Sequence, residues 1–321
     1  MNIFKLDSNV ILIYILLILM VVFWGFSFII VHIAIEYIPP LSIALYRLVV
    51  ASFSFFIIDI YRKFKKKSVL KGSQLNLQLN HKPSKNFWTL ILLASFTGVS
   101  LYLFMLYSAV EIIGPSIPAL YDCLVAPVII ALFSLIFFRE KLNKSKILGF
   151  ILASIGSYFL ITGGDLRTFT PESPSFFGYI FILTTPLLWA TYSTVIKRVK
   201  KTYDYISDFQ ALKFITYLGC IELFVFVLIS NQLPIFLINF FNITLLLCGI
   251  YLGLICFVFG YYIWNYSQKK IQSSKVASFL YIEPFFTLLF SYLLQRSEII
   301  VIWNIIGAII VLTAVVLINY K

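Results

Sequence analysis

Charged residues are scarce in this chain of 321 residues, because only 12% of its residues are charged whereas 61% are hydrophobic and 18% are aromatic. A soluble domain needs about twice that charged fraction to keep its surface hydrated. The scarcity therefore excludes a soluble enzyme, a nucleic-acid-binding protein and a disordered scaffold. The apolar stretches are continuous over about 18 to 25 residues, which indicates an all-α integral membrane protein rather than a membrane β-barrel with short alternating segments.

Histidine and cysteine are also rare, with two and four copies. The cysteines lie inside apolar stretches without metal-ligand spacing, so they are interpreted as small hydrophobic residues. We expect no metal, no cofactor and no nucleic-acid partner. A membrane-embedded enzyme that modifies lipids would need clustered acids or histidines. The sequence shows neither, so this class remains the less favoured alternative to a carrier.

Ten hydrophobic segments are predicted to be transmembrane helices, each long enough to cross a bilayer core of about 30 Å. They cover 10–35, 41–61, 87–109, 117–138, 145–162, 174–196, 205–230, 241–266, 276–294 and 299–319. The connections between them are short except for a polar and basic insert at 62–86, which opens with the run RKFKKK. We interpret this insert as a polybasic linker that faces anionic lipid, with a regulatory or partner-binding role as the alternative.

The basic residues are distributed unevenly between the two predicted membrane sides. Of the 25 lysines and arginines, 21 fall on the side that holds both predicted termini and two on the other side, while Arg47 and Lys213 lie within helices. This asymmetry predicts a multi-pass protein of the cell membrane with both termini in the cytoplasm. The net charge of +12 is then explained by orientation and by contact with the lipid bilayer.

The two halves of the chain, 10–165 and 174–319, resemble each other in the same order along the sequence. The matched pairs are Trp24 and Trp189, Arg47 and Lys213, Tyr107 and Trp264, Pro127 and Pro284, and Glu140 and Glu298. Because a repeat of five helices is odd, the second copy must have the opposite orientation in the membrane. Two inverted five-helix repeats are typical of carriers with alternating access and a substrate site near the midplane between the halves.

Four segments carry a resemblance to a known family: FWGFSF at 23–28, IPPLSIALYR at 38–47, FFREKL at 137–142 and IEPF at 282–285. Together with the order of five plus five helices, they make the chain similar to an EamA-type ten-helix transporter of the drug/metabolite transporter superfamily. The resemblance implies a carrier of a small-molecule substrate, commonly an exporter of amino acids or related metabolites.

Several functional questions stay open after this comparison. A nucleotide-sugar or phosphate-metabolite carrier of the same superfamily is an alternative, but it would need several basic residues around the cavity, and Arg47 and Lys213 alone make a weak case for it. We therefore favour a neutral or zwitterionic organic substrate. The transport direction, the coupling ion and the oligomeric state, including a homodimer, are left open by the sequence.

Two acids within predicted helices are candidates for substrate binding or proton coupling. Glu283 lies about 12 Å deep at 1.5 Å per residue, where an ionised carboxylate costs several kcal/mol unless it is paired, hydrated or protonated. Its neighbour Pro284 removes a backbone hydrogen bond, as does Pro127 in the first repeat, and both are candidate gating kinks. Asp122, near Pro127, is the pseudo-symmetric candidate for a substrate amino group or a proton. The alternative for Glu283 is a protonated acid that only caps backbone groups.

Aromatic and polar side chains near the predicted midplane could line the substrate cavity, since aromatic rings offer stacking area to amphipathic metabolites. The candidates are Trp24, Tyr102, Tyr107, Trp189, Trp264 and Asn265. His32 is a candidate proton shuttle, although a single histidine is more often structural. Arg47 and Lys213 are expected to extend toward the membrane faces, and Asp59 is expected to pair with Arg62.

Overall fold

The structure is a computed structural model that describes residues 8–69, 84–141, 143–162, 176–294 and 301–319. These residues form ten long helices and no β-strand. In chain order they are α1 (Ser8–Ile35), α2 (Pro40–Val69), α3 (Lys85–Ile113), α4 (Ser116–Phe138), α5 (Lys144–Thr162), α6 (Phe176–Thr202), α7 (Asp208–Ile229), α8 (Ile243–Lys270), α9 (Ser273–Leu293) and α10 (Ile302–Asn319). A short helix, Leu233–Ile238, lies between α7 and α8.

The predicted all-α, ten-helix architecture is confirmed. Among the described helices, nine are long and apolar enough to cross a membrane, and the tenth, α5, has 19 residues and packs along α10. The largest differences from the sequence prediction are at lysine-rich ends, where α2, α6 and α8 continue beyond the apolar stretch. Lysine and arginine are good helix formers, so these helices extend past the apolar core. Much of the predicted insert, residues 70–83, lies outside the described residues.

The helix contacts show how the two repeats are arranged. Helix α1 packs on α9 just as α6 packs on α4, and α1 packs on α8 just as α6 packs on α3. Helices α2 and α7 pack on each other, as do α5 and α10. If the helices of one repeat are exchanged for their counterparts in the other, the contacts of α1 become the contacts of α6, and the α2–α7 and α5–α10 contacts remain the same. This is the pattern of two inverted five-helix repeats. The predicted boundary between them, at 165–174, lies outside the described residues.

Both repeats contain a π-helical segment that the sequence analysis did not predict. The segments are Phe96–Ser100 in α3 and Tyr251–Phe259 in α8, and they occupy equivalent positions in the repeats. Wide π turns are frequent at functional sites. One carbonyl of each segment accepts a hydrogen bond from an aromatic side chain of the other repeat, at 2.9 Å from Trp24 Nε1 to Cys256 O and 2.7 Å from the Tyr261 hydroxyl to Gly98 O. The π segments therefore hold aromatic side chains at the centre of the bundle.

The two prolines predicted as kinks lie in different local structures. Pro127 lies inside α4, whereas Pro284 lies two residues after the end of a 3-10 turn, Phe279–Ile282, within α9. The irregular turn before Pro284 agrees with the missing backbone donor of proline. A gating role for either proline stays a prediction.

Candidate functional site

A cavity lies between the two repeats near the middle of the bundle. It is lined by six of the residues proposed from the sequence, from α1, α3, α4, α6 and α9. These residues are Trp24, Tyr102, Tyr107, Asp122, Trp189 and Glu283. The structure thus brings most of the candidate binding residues together, and their roles in binding or coupling stay predictions.

The central cavity lies nearer one end of the helix bundle and is small. Its lining residues on α1 and α3 belong to the second halves of those helices, away from the end where α2, α6 and α8 carry their lysines. We call that end the lysine-rich end and the opposite one the far end. The space open to the centres of water molecules is about 30 Å³, and one water needs roughly 10–15 Å³. This conformation therefore admits water but must open to admit an organic solute.

Arg47 faces the central cavity instead of extending toward a membrane face, so the expectation from sequence was wrong. Its side chain is 5% exposed, and its guanidinium group donates a hydrogen bond of 2.7 Å to the Tyr107 hydroxyl. The guanidinium carbon lies 5.4 Å and 5.9 Å from the ring centroids of Phe257 and Tyr261. Its Nε atom has no hydrogen-bond partner, and no described carboxylate lies within 4.0 Å of the group. Arg47 is a buried cation with neutral partners only.

The two candidate acids also lack basic partners in the described part of the chain. The Tyr102 hydroxyl donates a hydrogen bond of 2.7 Å to Asp122 Oδ2, while Asp122 Oδ1 accepts no hydrogen bond from the residues that the structure describes. Glu283 is 5% exposed and lies against the side chain of Cys123. One cation and two carboxyl groups thus line one small cavity without forming ion pairs among themselves.

A layer of aromatic rings surrounds Trp189 beside the central cavity. The ring of Trp189 lies 5.4 Å from Trp24, 5.2 Å from Tyr261 and 5.3 Å from Trp264, measured between centroids. Such distances are typical of attractive aromatic pairs. The rings from the two repeats therefore interlock, with Trp24 contributed by the first and the other three by the second.

Three candidate residues do not line the central cavity. Trp264 lies behind Trp189 and donates a hydrogen bond of 3.1 Å to Ser193 Oγ. Asn265 accepts one of 3.0 Å from the Tyr192 hydroxyl. His32 follows the lining residue Val31 on α1, and its side chain is partly exposed. Nearness to the predicted midplane therefore does not by itself place a side chain in the cavity, because the side chains of one helix point in different directions around its axis.

Sequence reasoning missed Glu222, a further acid within a transmembrane helix. It lies on α7 and accepts hydrogen bonds of 2.6 Å from Ser95 Oγ and 2.5 Å from Ser100 Oγ. Ser95 immediately precedes the π segment in α3, and Ser100 is the last residue of that segment. An acid within an apolar stretch is itself a signal for function, and it could have been noted from the sequence.

At the lysine-rich end, the two repeats are joined by a polar cluster that we call the inter-repeat network. Glu140, in the first repeat, forms a salt bridge with Lys197 of the second. Lys197 Nζ also donates to Ser273 Oγ at 2.8 Å, and the Ser273 backbone N–H donates to Glu140 Oε1 at 3.0 Å. Because α9 begins at Ser273, the carboxylate of Glu140 also lies at the positive end of a helix. Glu298, its counterpart in the second repeat, lies outside the described residues.

A second correction concerns Asp59 and Lys213. Asp59 pairs with Lys213 at 2.8 Å, joining α2 to α7, and not with Arg62. The guanidinium carbon of Arg62 instead lies 4.2 Å from the centroid of the Phe209 ring. Lys213 is therefore neutralised by an acid, unlike its sequence counterpart Arg47.

Comparison with known proteins identifies the family. Residues 11–162 and 176–320 match the EamA-like transporter family. The chain belongs to this family. It is therefore a multi-pass membrane protein of the drug/metabolite transporter superfamily, and a transporter.

Its relatives cover almost the whole chain. An uncharacterised transporter of Archaeoglobus fulgidus is 27% identical over 311 residues, which are 96% of this chain and 97% of that protein. The uncharacterised transporter YyaM of Bacillus subtilis is 26% identical, over 94% of this chain and 92% of its own length. A crystal structure with a TM-score of 0.66 and 15% identity covers 97% of this chain and 96% of the solved one, and it shares the fold.

Proposed function

We propose that this EamA-like transporter carries a small zwitterionic metabolite, such as an amino acid, by alternating access between its two repeats. The observation that carries the proposal is the charge arrangement in the central cavity. Arg47 can bind a carboxylate, while Asp122 and Glu283 can bind an ammonium group, and none of them is already held in an ion pair within the described residues. Buried charges of this kind are costly, which favours a ligand that supplies the missing counter-charges.

The aromatic and apolar residues that line the central cavity indicate the kind of side chain that the substrate carries. Trp24, Trp189 and Tyr261 line the cavity together with Phe28 and Leu106. Such side chains stabilise an apolar or aromatic group of the ligand by stacking and dispersion. A phosphate-bearing substrate is less favoured, since Arg47 is the one cation among the described residues that line the cavity. We therefore expect an amino acid with a large side chain, or a metabolite of similar shape.

Proton coupling through Glu283 is part of the proposal. Both carboxyl groups are buried in one cavity, where two negative charges without counter-ions are unfavourable. A proton on one of them offsets this cost, and the bound ammonium group of a substrate offsets it as well. Competition between proton and substrate for the same carboxyl pair is a simple route to proton antiport. Export from the cell, driven by protons that enter, follows from this scheme.

The orientation follows from the distribution of lysines. The lysine-rich end is proposed to face the cytoplasm, with both termini on that side. In this conformation the inter-repeat network closes the cytoplasmic side, and the central cavity lies nearer the exterior. Cysteine placed at Asn231, in the turn after α7, should react with an impermeant thiol reagent from outside intact cells, and cysteine at Lys144 should not. The reverse labelling would contradict the orientation.

The substrate class can be tested with three matched ligands. Phenylalanine carries both charges, phenethylamine lacks the carboxylate, and phenylpropionate lacks the ammonium group. We expect the zwitterion to stabilise the purified protein against thermal unfolding, and each of the other two to give a much smaller shift at equal concentration. If phenylpropionate matches phenylalanine, the acids do not recognise an amine. If none of the three shifts the unfolding temperature while a screen of other metabolites does, the zwitterion assignment is wrong.

Alternating access can be tested by cross-linking the lysine-rich end. In a background without the four native cysteines, Glu140→Cys and Ser273→Cys place two thiols across the inter-repeat network. A cross-link there should stop transport in proteoliposomes while a cysteine at Ser27 in the central cavity remains reactive from the far end. Continued flux through the cross-linked protein would indicate a channel.

A further inference from the structure

A second cavity lies at the lysine-rich end, between α6 and α8 and apart from the central cavity. Its volume is about 300 Å³, which is within the range of roughly 300–1,000 Å³ for small-ligand sites. Four lysines line it, and none of the described residues that line it is acidic. The lysines are Lys197, Lys200, Lys201 and Lys269. We call this space the lysine cavity.

The four lysines fall into two pairs. Lys197 and Lys200 are bound to acids outside the cavity, Lys197 to Glu140 and Lys200 to Asp208 at 2.5 Å. Lys201 and Lys269 are exposed at the helix ends, and neither has an acidic partner among the described residues. Lys201 and Lys269 thus place two positive charges without an acidic partner among the described residues at the rim of the cavity. Lys197 and Lys200 could leave their acids and bind a ligand in the cavity instead.

The inner part of the lysine cavity offers a hydrogen-bond donor. Asn265 lines the cavity and is 1% exposed, and its Nδ2 atom has no hydrogen-bond partner within the described part of the chain. An unpartnered buried donor is unfavourable unless a ligand or water accepts from it. Lysine ammonium groups also donate only. A ligand with several negatively charged acceptor oxygens satisfies all of these groups at once.

From this arrangement we infer that the lysine cavity binds a phosphate group, and that the bound phosphate competes with Glu140 for Lys197. Phosphate carries negative charge and several acceptor oxygens, which match the lysines and the Asn265 amide. The cavity opens where α6 and α8, two of the candidate membrane-spanning helices, reach their lysine-rich ends, and the ends of such helices are expected near the lipid head groups. Basic pockets between helices at that level suit anionic phospholipids. A soluble phosphate ester offers the same chemistry.

The shared lysine couples this cavity to the closure of the lysine-rich end. Lys197 bridges Glu140 across the two repeats, so a phosphate that draws its ammonium group away weakens that bridge. Phosphate binding should therefore favour opening of the lysine-rich end. This consequence rests on the proposed alternating access, whereas binding itself does not.

Binding is tested on the purified full-length protein in lipid nanodiscs. Native mass spectrometry would measure retention of phosphatidylglycerol against phosphatidylcholine, and a parallel arm would add inorganic phosphate against chloride at equal ionic strength. We expect Lys201→Gln and Lys269→Gln each to weaken retention about fivefold, equal to about 1 kcal/mol for one lysine near the surface. Lys270→Gln is the matched control, because Lys270 is adjacent and exposed but does not line the cavity.

This experiment distinguishes a lipid head group from a soluble phosphate, and a specific site from diffuse electrostatic attraction. Selective retention of phosphatidylglycerol identifies a lipid head group, and an equal effect of inorganic phosphate identifies a soluble anion; both support the site. If Lys270→Gln weakens binding as much as Lys269→Gln, the attraction is diffuse and the site is wrong. The site is also wrong if no variant changes the binding of either probe.

Competition for Lys197 is tested with two acid-to-amide variants that change the net charge equally. Glu140→Gln releases Lys197 and should tighten phosphate binding about fivefold. Asp59→Asn, which releases Lys213 outside the cavity, should leave binding unchanged. Equal tightening by both variants would show that only net charge matters. Weaker binding after Glu140→Gln would contradict the competition. Neither result depends on the transport substrate, so the proposed function can fail while this inference stands.

Discussion

The central cavity and the lysine-rich end use buried charge in opposite ways. At the lysine-rich end, Glu140 and Lys197 neutralise each other and join the repeats, with the N-terminus of α9 adding donors. In the central cavity, Arg47 and Asp122 have tyrosine hydroxyls as hydrogen-bond partners, and no ion pair forms among the described residues. Paired charges close a structure, whereas buried charges left without counter-ions favour the binding of a ligand that provides them. We therefore expect the lysine-rich end to act as a closure and the central cavity to act as the binding site.

The largest expected effect comes from removing the cation of the central cavity. Arg47→Gln would delete the proposed charge-assisted contact to a substrate carboxylate, so substrate affinity should fall about 100-fold, or about 2.7 kcal/mol. Lys213→Gln, at the counterpart position in the second repeat, is the control. Isothermal titration with the best ligand from the screen measures both. Equal losses of substrate affinity in the two variants would contradict the proposal that Arg47 binds the substrate and Lys213 does not.

The next effect concerns Glu283 and the driving force for transport. One coupled proton multiplies substrate accumulation about tenfold for each pH unit of gradient. Glu283→Gln keeps the volume of the side chain, so substrate exchange should persist while the tenfold response to the gradient is lost. Proteoliposomes with and without an imposed pH gradient measure this difference. An unchanged response would exclude Glu283 from coupling and make Asp122 or Glu222 the next acid to test.

A smaller effect is expected from the closure at the lysine-rich end. Glu140→Gln removes the inter-repeat ion pair, and about 1 kcal/mol lost from the closed state shifts the population about fivefold toward opening. A cysteine at Ser193, which lies next to Trp264 below the central cavity, should then react faster from the lysine-rich side. If its reactivity does not change, the ion pair does not hold that end closed.

The smallest effect is predicted for the pair between α2 and α7. Asp59 and Lys213 are partly exposed, so Lys213→Gln should lower the free energy of unfolding by less than about 1 kcal/mol. Thermal unfolding in detergent measures the change. A loss of unfolding free energy well above about 1 kcal/mol would show that this partly exposed ion pair contributes more to stability than surface pairs usually do.

The candidate acids and most of the aromatic residues that line the central cavity could be selected from the sequence. An acid such as Glu283 inside an apolar stretch is rare enough to be a signal, and a proline beside it adds to that signal. Trp24 and Trp189 were found because they occupy matching positions in the two halves. Trp264 and Asn265, chosen by the same reasoning, do not line the central cavity, because their side chains contact Ser193 and Tyr192, and their roles stay predictions.

The sequence by itself determined the membrane class, the ten helices and the inverted order of the repeats, because hydrophobic length and an odd repeat leave few alternatives. Tertiary structure alone decided that Arg47 faces the cavity while its counterpart Lys213 pairs with Asp59. It also decided where α3 and α8 widen into π segments and which lysines of α6 and α8 share one cavity. The reason is that a hydrophobic stretch determines how far a helix extends, whereas the rotation of the helix about its axis is set by contacts with its neighbours.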